Sequence, residues 1–122
     1  MTDKSALIRN MFAAYHARDR AVVERAFADD FTFTSPYDDR IDKAAYFDRC
    51  WPASVSGWMK SQDIERIVVD GDSAFVTYCC VTTDGKSFRN TEFFTFDVER
   101  IKSIDVYFGA TYKDGVFEKQ ES

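Results

Sequence analysis

Residues 84–97 read DGKSFRNTEFFTFD. Asp84-Gly85 is a strong hairpin signal, and from Lys86 onward the chain alternates. Phe88, Asn90, Glu92, Phe94 and Phe96 fall on one side of an extended chain, and Arg89, Thr91, Phe93 and Thr95 on the other. The first side is mostly aromatic and is expected to face a core, yet it carries a glutamate.

Working outward, residues 62–69 and 74–82 read as two further strands joined by the turn Asp70-Gly71-Asp72, and 101–112 as a fourth strand of the same meander. Alternation counted from the hairpin points Cys79 inward. The first half of the chain has a different period. Ser5 can cap a helix in which Leu7, Ile8, Met11, Phe12 and Tyr15 form one apolar face. RDRAVVERAFADD continues the pattern with Val22, Val23, Ala26 and Phe27. DFTFTSP reads as a short strand stopped by Pro36, with Phe31, Phe33 and Ser35 on one face. YDDRID reads as a polar turn, and Asp42 caps a third helix carrying Tyr46, Phe47, Cys50 and Trp51, ended by Pro52. Helices first and an antiparallel meander last imply an α+β fold with helices on one face of a curved sheet, not a parallel βαβ fold.

The 122 residues are expected to form a single domain, 1–122. Twelve phenylalanines, two tryptophans and an aromatic share of 16% suit a protein that walls a cavity as well as packing a core. A net charge of −5 argues against nucleic acid as a partner, since binding a phosphate backbone needs a basic surface. The absence of a long apolar run argues against membrane insertion, and the start MTDKSALIRN lacks the apolar centre of a signal peptide. Three cysteines without framework spacing are read as reduced, in a cytoplasmic protein. The single histidine, His16, leaves no basis for a multi-histidine metal site, and AAYHARD places it at a helix end, where local hydrogen bonding or solvent is the usual role. The three carboxylates of YDDRID match no metal-loop pattern, so no metal is expected.

AAYHARDRAVVERAFADDFTFTSP near the start and FFTFDVERIKSIDVYFG near the end, in this order, resemble the NTF2-like superfamily, in its SnoaL-like and ketosteroid-isomerase-like branch. The resemblance covers nearly the whole chain. It implies a cone-shaped fold in which N-terminal helices pack on a curved antiparallel sheet and leave a deep, mostly apolar pocket. It also implies homodimerisation through the outer face of the sheet. Fold alone does not fix activity, because this one hosts isomerases, cyclases, dehydratases, hydrolases and non-catalytic modules.

Residue by residue, the resemblance is incomplete. The general base of the isomerases, an aspartate before the proline that ends the first strand, is here Ser35, whose hydroxyl could not abstract a carbon-bound proton unaided. Their oxyanion-donating tyrosine falls on Met11, which has no proton to donate. One turn later stands Tyr15, within reach of a cavity. The third member, a carboxylic acid on the penultimate strand, aligns with Glu92. Standard ketosteroid isomerisation is therefore not expected.

A glutamate between Asn90 and Phe94 on an aromatic face would be partly desolvated and its pKa raised, as a general acid or a base near neutrality requires. The structural alternative is that Glu92 pairs with a nearby arginine or hydroxyl group and stiffens the sheet. Trp51 and Trp58 flank a loop that, by the resemblance, lies at the pocket mouth, where they would line it or serve as ordinary core. Phe33, Phe88, Phe94, Val106 and Phe108 lie on faces expected to point inward, as core or as ligand wall. The expected protein is a small-molecule pocket protein with Glu92 and Tyr15 as catalytic groups. Its pocket would comprise Met11, Phe33, Ser35, Trp51, Trp58, Phe88, Asn90, Phe94, Val106 and Phe108. Its ligand would be a small apolar organic molecule, handled by acid–base isomerisation, dehydration or cyclisation without metal or organic cofactor. The alternative is a non-catalytic ligand-binding or protein-interaction module.

Overall fold

The computed structural model describes residues 3–119. Two helices open the chain, α1 (Lys4–His16) and α2 (Arg20–Ala26), followed by strand β1 (Phe27–Ser35), strand β2 (Asp38–Asp42) and two short helices, α3 (Lys43–Arg49) and α4 (Trp51–Ser54). Five strands complete the described residues: β3 (Met59–Asp70), β4 (Ser73–Thr82), β5 (Lys86–Asp97), β6 (Arg100–Lys113) and β7 (Val116–Glu118). The fold is α+β. The sheet order is β2-β1-β6-β5-β4-β3, with β7 paired to β6. Among the described residues no helix is long and apolar enough to cross a membrane.

The four-strand meander matches the order expected from sequence. The sheet is nevertheless mixed, because β1 pairs with β6 in parallel (Phe33 opposite Ile104) while every other pair is antiparallel. The expectation that YDDRID is a turn does not hold. It forms edge strand β2, turning tightly after Ser35 so that Ile41 lies opposite Phe33. Charged residues are common on edge strands, where they discourage pairing with other chains, and this composition masks the strand. Helix boundaries differ by a few residues. Asp3, not Ser5, caps α1 by accepting the Ala6 N–H. Phe27 belongs to β1 and stacks on Phe31 at 4.0 Å. Pro52 sits in the first turn of α4, a position that tolerates its missing N–H. Asp42 does cap α3, accepting the Ala45 N–H at 2.9 Å.

The inner face of the sheet carries the core. Val76, Tyr78, Cys80, Phe94, Phe96 and Ile104 are buried beneath Ile8, Met11 and Phe12 of α1. Phe12 meets Tyr78 edge-on at 5.2 Å, and α3 brings Tyr46 and Phe47 against Phe27 and Phe31.

Two local features set which side chains face that core. The β4–β5 loop has three residues, Thr83 to Gly85, with Gly85 at φ 86°, so Val81 lies opposite Ser87 and Tyr78 opposite Asn90. A two-residue loop would have placed Cys79 opposite Asn90. One added residue therefore turns Cys79 outward, opposite Arg89, and leaves Cys80 buried, reversing the sequence expectation for Cys79. On β6, Gly109 and Ala110 together lie opposite Arg89, forming a bulge between the pairs Phe88–Thr111 and Asn90–Phe108. A Cβ on Gly109 would lie 2.0 Å from the Arg89 carbonyl oxygen, so this approach of β6 to β5 requires glycine.

Candidate functional site

Between the inner face of the sheet and helices α1, α3 and α4 lies a cavity of about 520 Å³, within the size range of small-molecule sites. Glu92 lies in its wall, flanked across the sheet by Val76 and Val106. Its exposure is only 9%. Among the described residues no salt bridge reaches it. Of the two partners the structural alternative allowed, no arginine pairs with Glu92, but a hydroxyl, that of Tyr78, does. Burial pushes the Glu92 carboxyl up from its ordinary 4.5 to about 7, opposed only by a hydrogen bond with Tyr78.

That hydrogen bond ends a chain of three. At the bulge on β6 the Gly109 N–H donates to Asn90 Oδ1 at 3.3 Å. Asn90 Nδ2 donates to the Tyr78 hydroxyl at 3.2 Å, and the Tyr78 hydroxyl donates to Glu92. Tyr46 of α3 faces the same carboxyl from the helical side. Burial first, and then the nearby carboxylate, hold both phenols well above the ordinary tyrosine range, so both are neutral donors.

Met11, Tyr15, Phe33, Ser35, Trp58, Phe88, Asn90, Val106 and Phe108 all border the cavity. Trp51 and Phe94 do not; both are core. Trp51 is packed between Tyr15 and Phe47, and Phe94 is fully buried, stacked with Phe96. Alternation fixed the face of Phe94, but the cavity ends before its position on β5. Tyr15 borders the cavity with its ring against Trp51 at 5.0 Å, whereas the hydroxyl bonded to Glu92 is that of Tyr78. Sequence reading missed Tyr78 because of the one-residue error in the β4 register. Its cross-strand position opposite Asn90 was the signal that could have found it. The Ser35 hydroxyl accepts the Tyr37 N–H at 3.1 Å and so braces the β1–β2 turn. His16 ends α1 exposed.

The mouth is aromatic and charged. Trp58 stacks on Phe88 at 6.1 Å, its indole N–H held by the Ala53 carbonyl, and Tyr37 meets Phe108 at 5.7 Å. Arg49 and Asp38 form an ion pair there at 2.8 Å. Among the described residues no group of three or more His, Cys, Asp or Glu could hold a metal ion.

The family model of the SnoaL-like domain matches residues 8–104, most of the chain. The chain belongs to the SnoaL-like domain family. Solved structures of similar fold include an NTF2-like protein of unknown function from Cytophaga hutchinsonii, 17% identical, with a TM-score of 0.71 over 88% of this chain and 91% of that one. A protein of Sinorhizobium meliloti, provisionally named a polyketide cyclase, is 22% identical, with a TM-score of 0.70 over 84% of this chain and 94% of that one. SalBIII, described as an epoxide hydrolase/cyclase-like enzyme with a role in pyran ring formation in salinomycin, is 17% identical. Its TM-score is 0.73 over 86% of this chain and 89% of that one. At these identities the likeness shows the fold alone. No curated protein matches this SnoaL-like chain.

Proposed function

We propose that this SnoaL-like protein is a cofactor-independent acid–base enzyme acting on a small, mainly apolar organic molecule. The observation that carries the reading is Glu92, a carboxyl without a cationic partner, raised to about 7 in the wall of an aromatic cavity. Near neutral pH it populates both protonation states, which suits a group that gives a proton at one step and takes one at another. In the protonated state it can donate to a carbonyl, hydroxyl or epoxide oxygen of the substrate. Its conjugate base can then accept a proton from a neighbouring carbon, completing an isomerisation, dehydration or ring closure without net change in the protein. Tyr78 orients the carboxyl and the aromatic walls exclude water. Tyr46 and Tyr15 are further phenols on the cavity's helical side. Ring-forming chemistry is in keeping with the names of two proteins of similar fold, as an analogy of fold only.

Ser35 and Met11, at the positions of the isomerase base and oxyanion tyrosine, favour a second reading, a binder without chemistry. One experiment separates the two. Hydroxylated and unsaturated ketones, esters and epoxides are screened against the wild type and Glu92→Gln in parallel. The enzyme reading expects turnover by the wild type, with a pH–rate inflection near 7, and none by the variant. Binding of the same compounds by both proteins with no turnover by either would refute it. The outward face of the sheet carries Phe75, its ring 4.7 Å from Phe93, and exposed Tyr107. These residues support homodimerisation through that face, measurable by sedimentation.

A further inference from the structure

Three charged side chains border the cavity: Glu92 in the buried wall, and Asp38 and Arg49 at the rim. The first is absorbed in the proposed chemistry; the other two are not. Arg49 is the sole cation among the residues that border the cavity. It ends α3 with 56% of its side chain exposed, whereas Asp38 on edge strand β2 is only 10% exposed. Both Asp38 oxygens are engaged. Oδ1 meets Arg49 Nη2 at 2.8 Å, and Oδ2 accepts the Cys50 thiol at 3.6 Å. Burial and this carboxylate push the Cys50 thiol up to about 11, so Cys50 serves as a neutral donor rather than a nucleophile.

Burying a carboxylate to pair with a mostly solvated arginine is a poor source of stability. It is an effective way to fix a guanidinium in one orientation. Arg49 meets Asp38 through Nη2 alone, so the second Nη2 hydrogen, together with Nε–H or an Nη1 hydrogen, is left as a planar pair of donors that matches a carboxylate or sulfonate. The Trp58–Phe88 and Tyr37–Phe108 ring pairs at the same mouth offer apolar surface to the body of such a ligand. A chain of net charge −5 does not attract anions at long range, so an acidic ligand needs a local anchor of this kind.

We propose that Arg49, held by Asp38, binds an anionic end group, and that the ligand is an amphipathic organic acid: an apolar body filling the cavity and a carboxylate or sulfonate at the mouth. This rests on the pocket reading above and names the substrate class it leaves open.

The test uses two fluorescent probes that share an anilinonaphthalene body and differ in charge. They are 1-anilinonaphthalene-8-sulfonate and neutral N-phenyl-1-naphthylamine, titrated at pH 6 and low salt. Arg49→Gln is expected to weaken the sulfonate probe about tenfold and to leave the neutral probe within about twofold. Asp38→Asn, which keeps an acceptor for Arg49 but removes the neutralising charge, is expected to tighten the sulfonate probe. Should Arg49→Gln fail to fold with Asp38 left unpaired, the double variant Asp38→Asn/Arg49→Gln carries the same expectation for the ratio of the two affinities. Equal weakening of both probes, or an unchanged sulfonate affinity, overturns the proposal while leaving the pocket reading standing. Binding of neither probe by the wild type overturns both.

Discussion

Glu92→Gln at fixed shape removes a single ionisable group, and its effect on stability can be worked out with sign. The Glu92 carboxyl titrates near 7 in the fold against an ordinary 4.5. The folded state therefore holds a proton that the unfolded chain has released between those two values. Stability falls as pH rises through this window and stays lower above it. At about 1.4 kcal/mol per tenfold change in acidity, the full loss is roughly 3 kcal/mol. Glutamine is nearly isosteric, its side-chain oxygen can still accept from Tyr78, and it does not ionise. The variant should match the wild type within about 0.5 kcal/mol at pH 4.5 and exceed it by roughly 2–3 kcal/mol at pH 8.5. For a chain of this length the gain at high pH corresponds to roughly 8–12 °C in Tm. The assay is thermal unfolding by circular dichroism across pH 4–9 for both proteins. Every other titrating group cancels in the difference curve. A difference that does not change with pH, or a variant less stable at pH 8.5, would show that Glu92 is not a desolvated acid.

The remaining predictions concern the groups around it. Tyr78→Phe removes the only hydrogen bond that favours the Glu92 carboxylate. The Glu92 midpoint, followed by carbon-13 NMR of the side-chain carboxyl, should move upward by about 1 pH unit; a downward or absent shift contradicts the chain running from Gly109. Gly109→Ala forces a Cβ to 2.0 Å from the Arg89 carbonyl oxygen, which should cost about 2 kcal/mol or more in urea denaturation. An alanine tolerated without loss would mean that the bulge lies elsewhere. Val98 is exposed in the β5–β6 turn at φ 56°, a conformation that suits asparagine better than a β-branched residue. Val98→Asn should therefore stabilise by about 1 kcal/mol, and a loss of stability would argue against that turn geometry.

The parts of the fold that were legible in the sequence are those encoded locally. Phe88, Asn90, Glu92, Phe94 and Phe96 declared a strand with one buried face, because a period of two cannot serve a helix, and the face was assigned correctly. The face of α1 followed in the same way from Ile8, Met11 and Phe12. What escaped depends on counts of one or on distant partners. Tyr78 and Cys79 exchange faces according to whether the β4–β5 loop has two residues or three, and Asp-Gly signals a turn without fixing its length. The pairing of β1 with β6 joins segments some seventy positions apart in sequence, and nothing local marks either as the other's neighbour. Asp38 looked like part of a solvated turn because its burial depends on Arg49, a partner brought close only once β2 folds back along β1. Phe94 shows the converse limit. Periodicity reports that a side chain is inside, and the position along the strand decides whether it meets ligand or only other side chains.

The bulge at Gly109 divides the labour of this protein between two sets of parts. The hydroxyl that orients Glu92 is tied, through Asn90, to a main-chain irregularity, and every link from Gly109 to Glu92 belongs to β4, β5 or β6. Much of the remaining wall, including Met11 and Tyr15 on α1, Phe33 on β1, and Arg49 with the residues of α4, comes from elements that take no part in those links. Substitution among these residues can reshape the chamber and its entrance while the hydrogen bonds that orient the proton-transferring group stay in place. The aim of the carboxyl is thus written into the sheet and the shape of the chamber into the parts that cover it, so the chamber can be retuned without rebuilding the hydrogen bonds that hold Glu92.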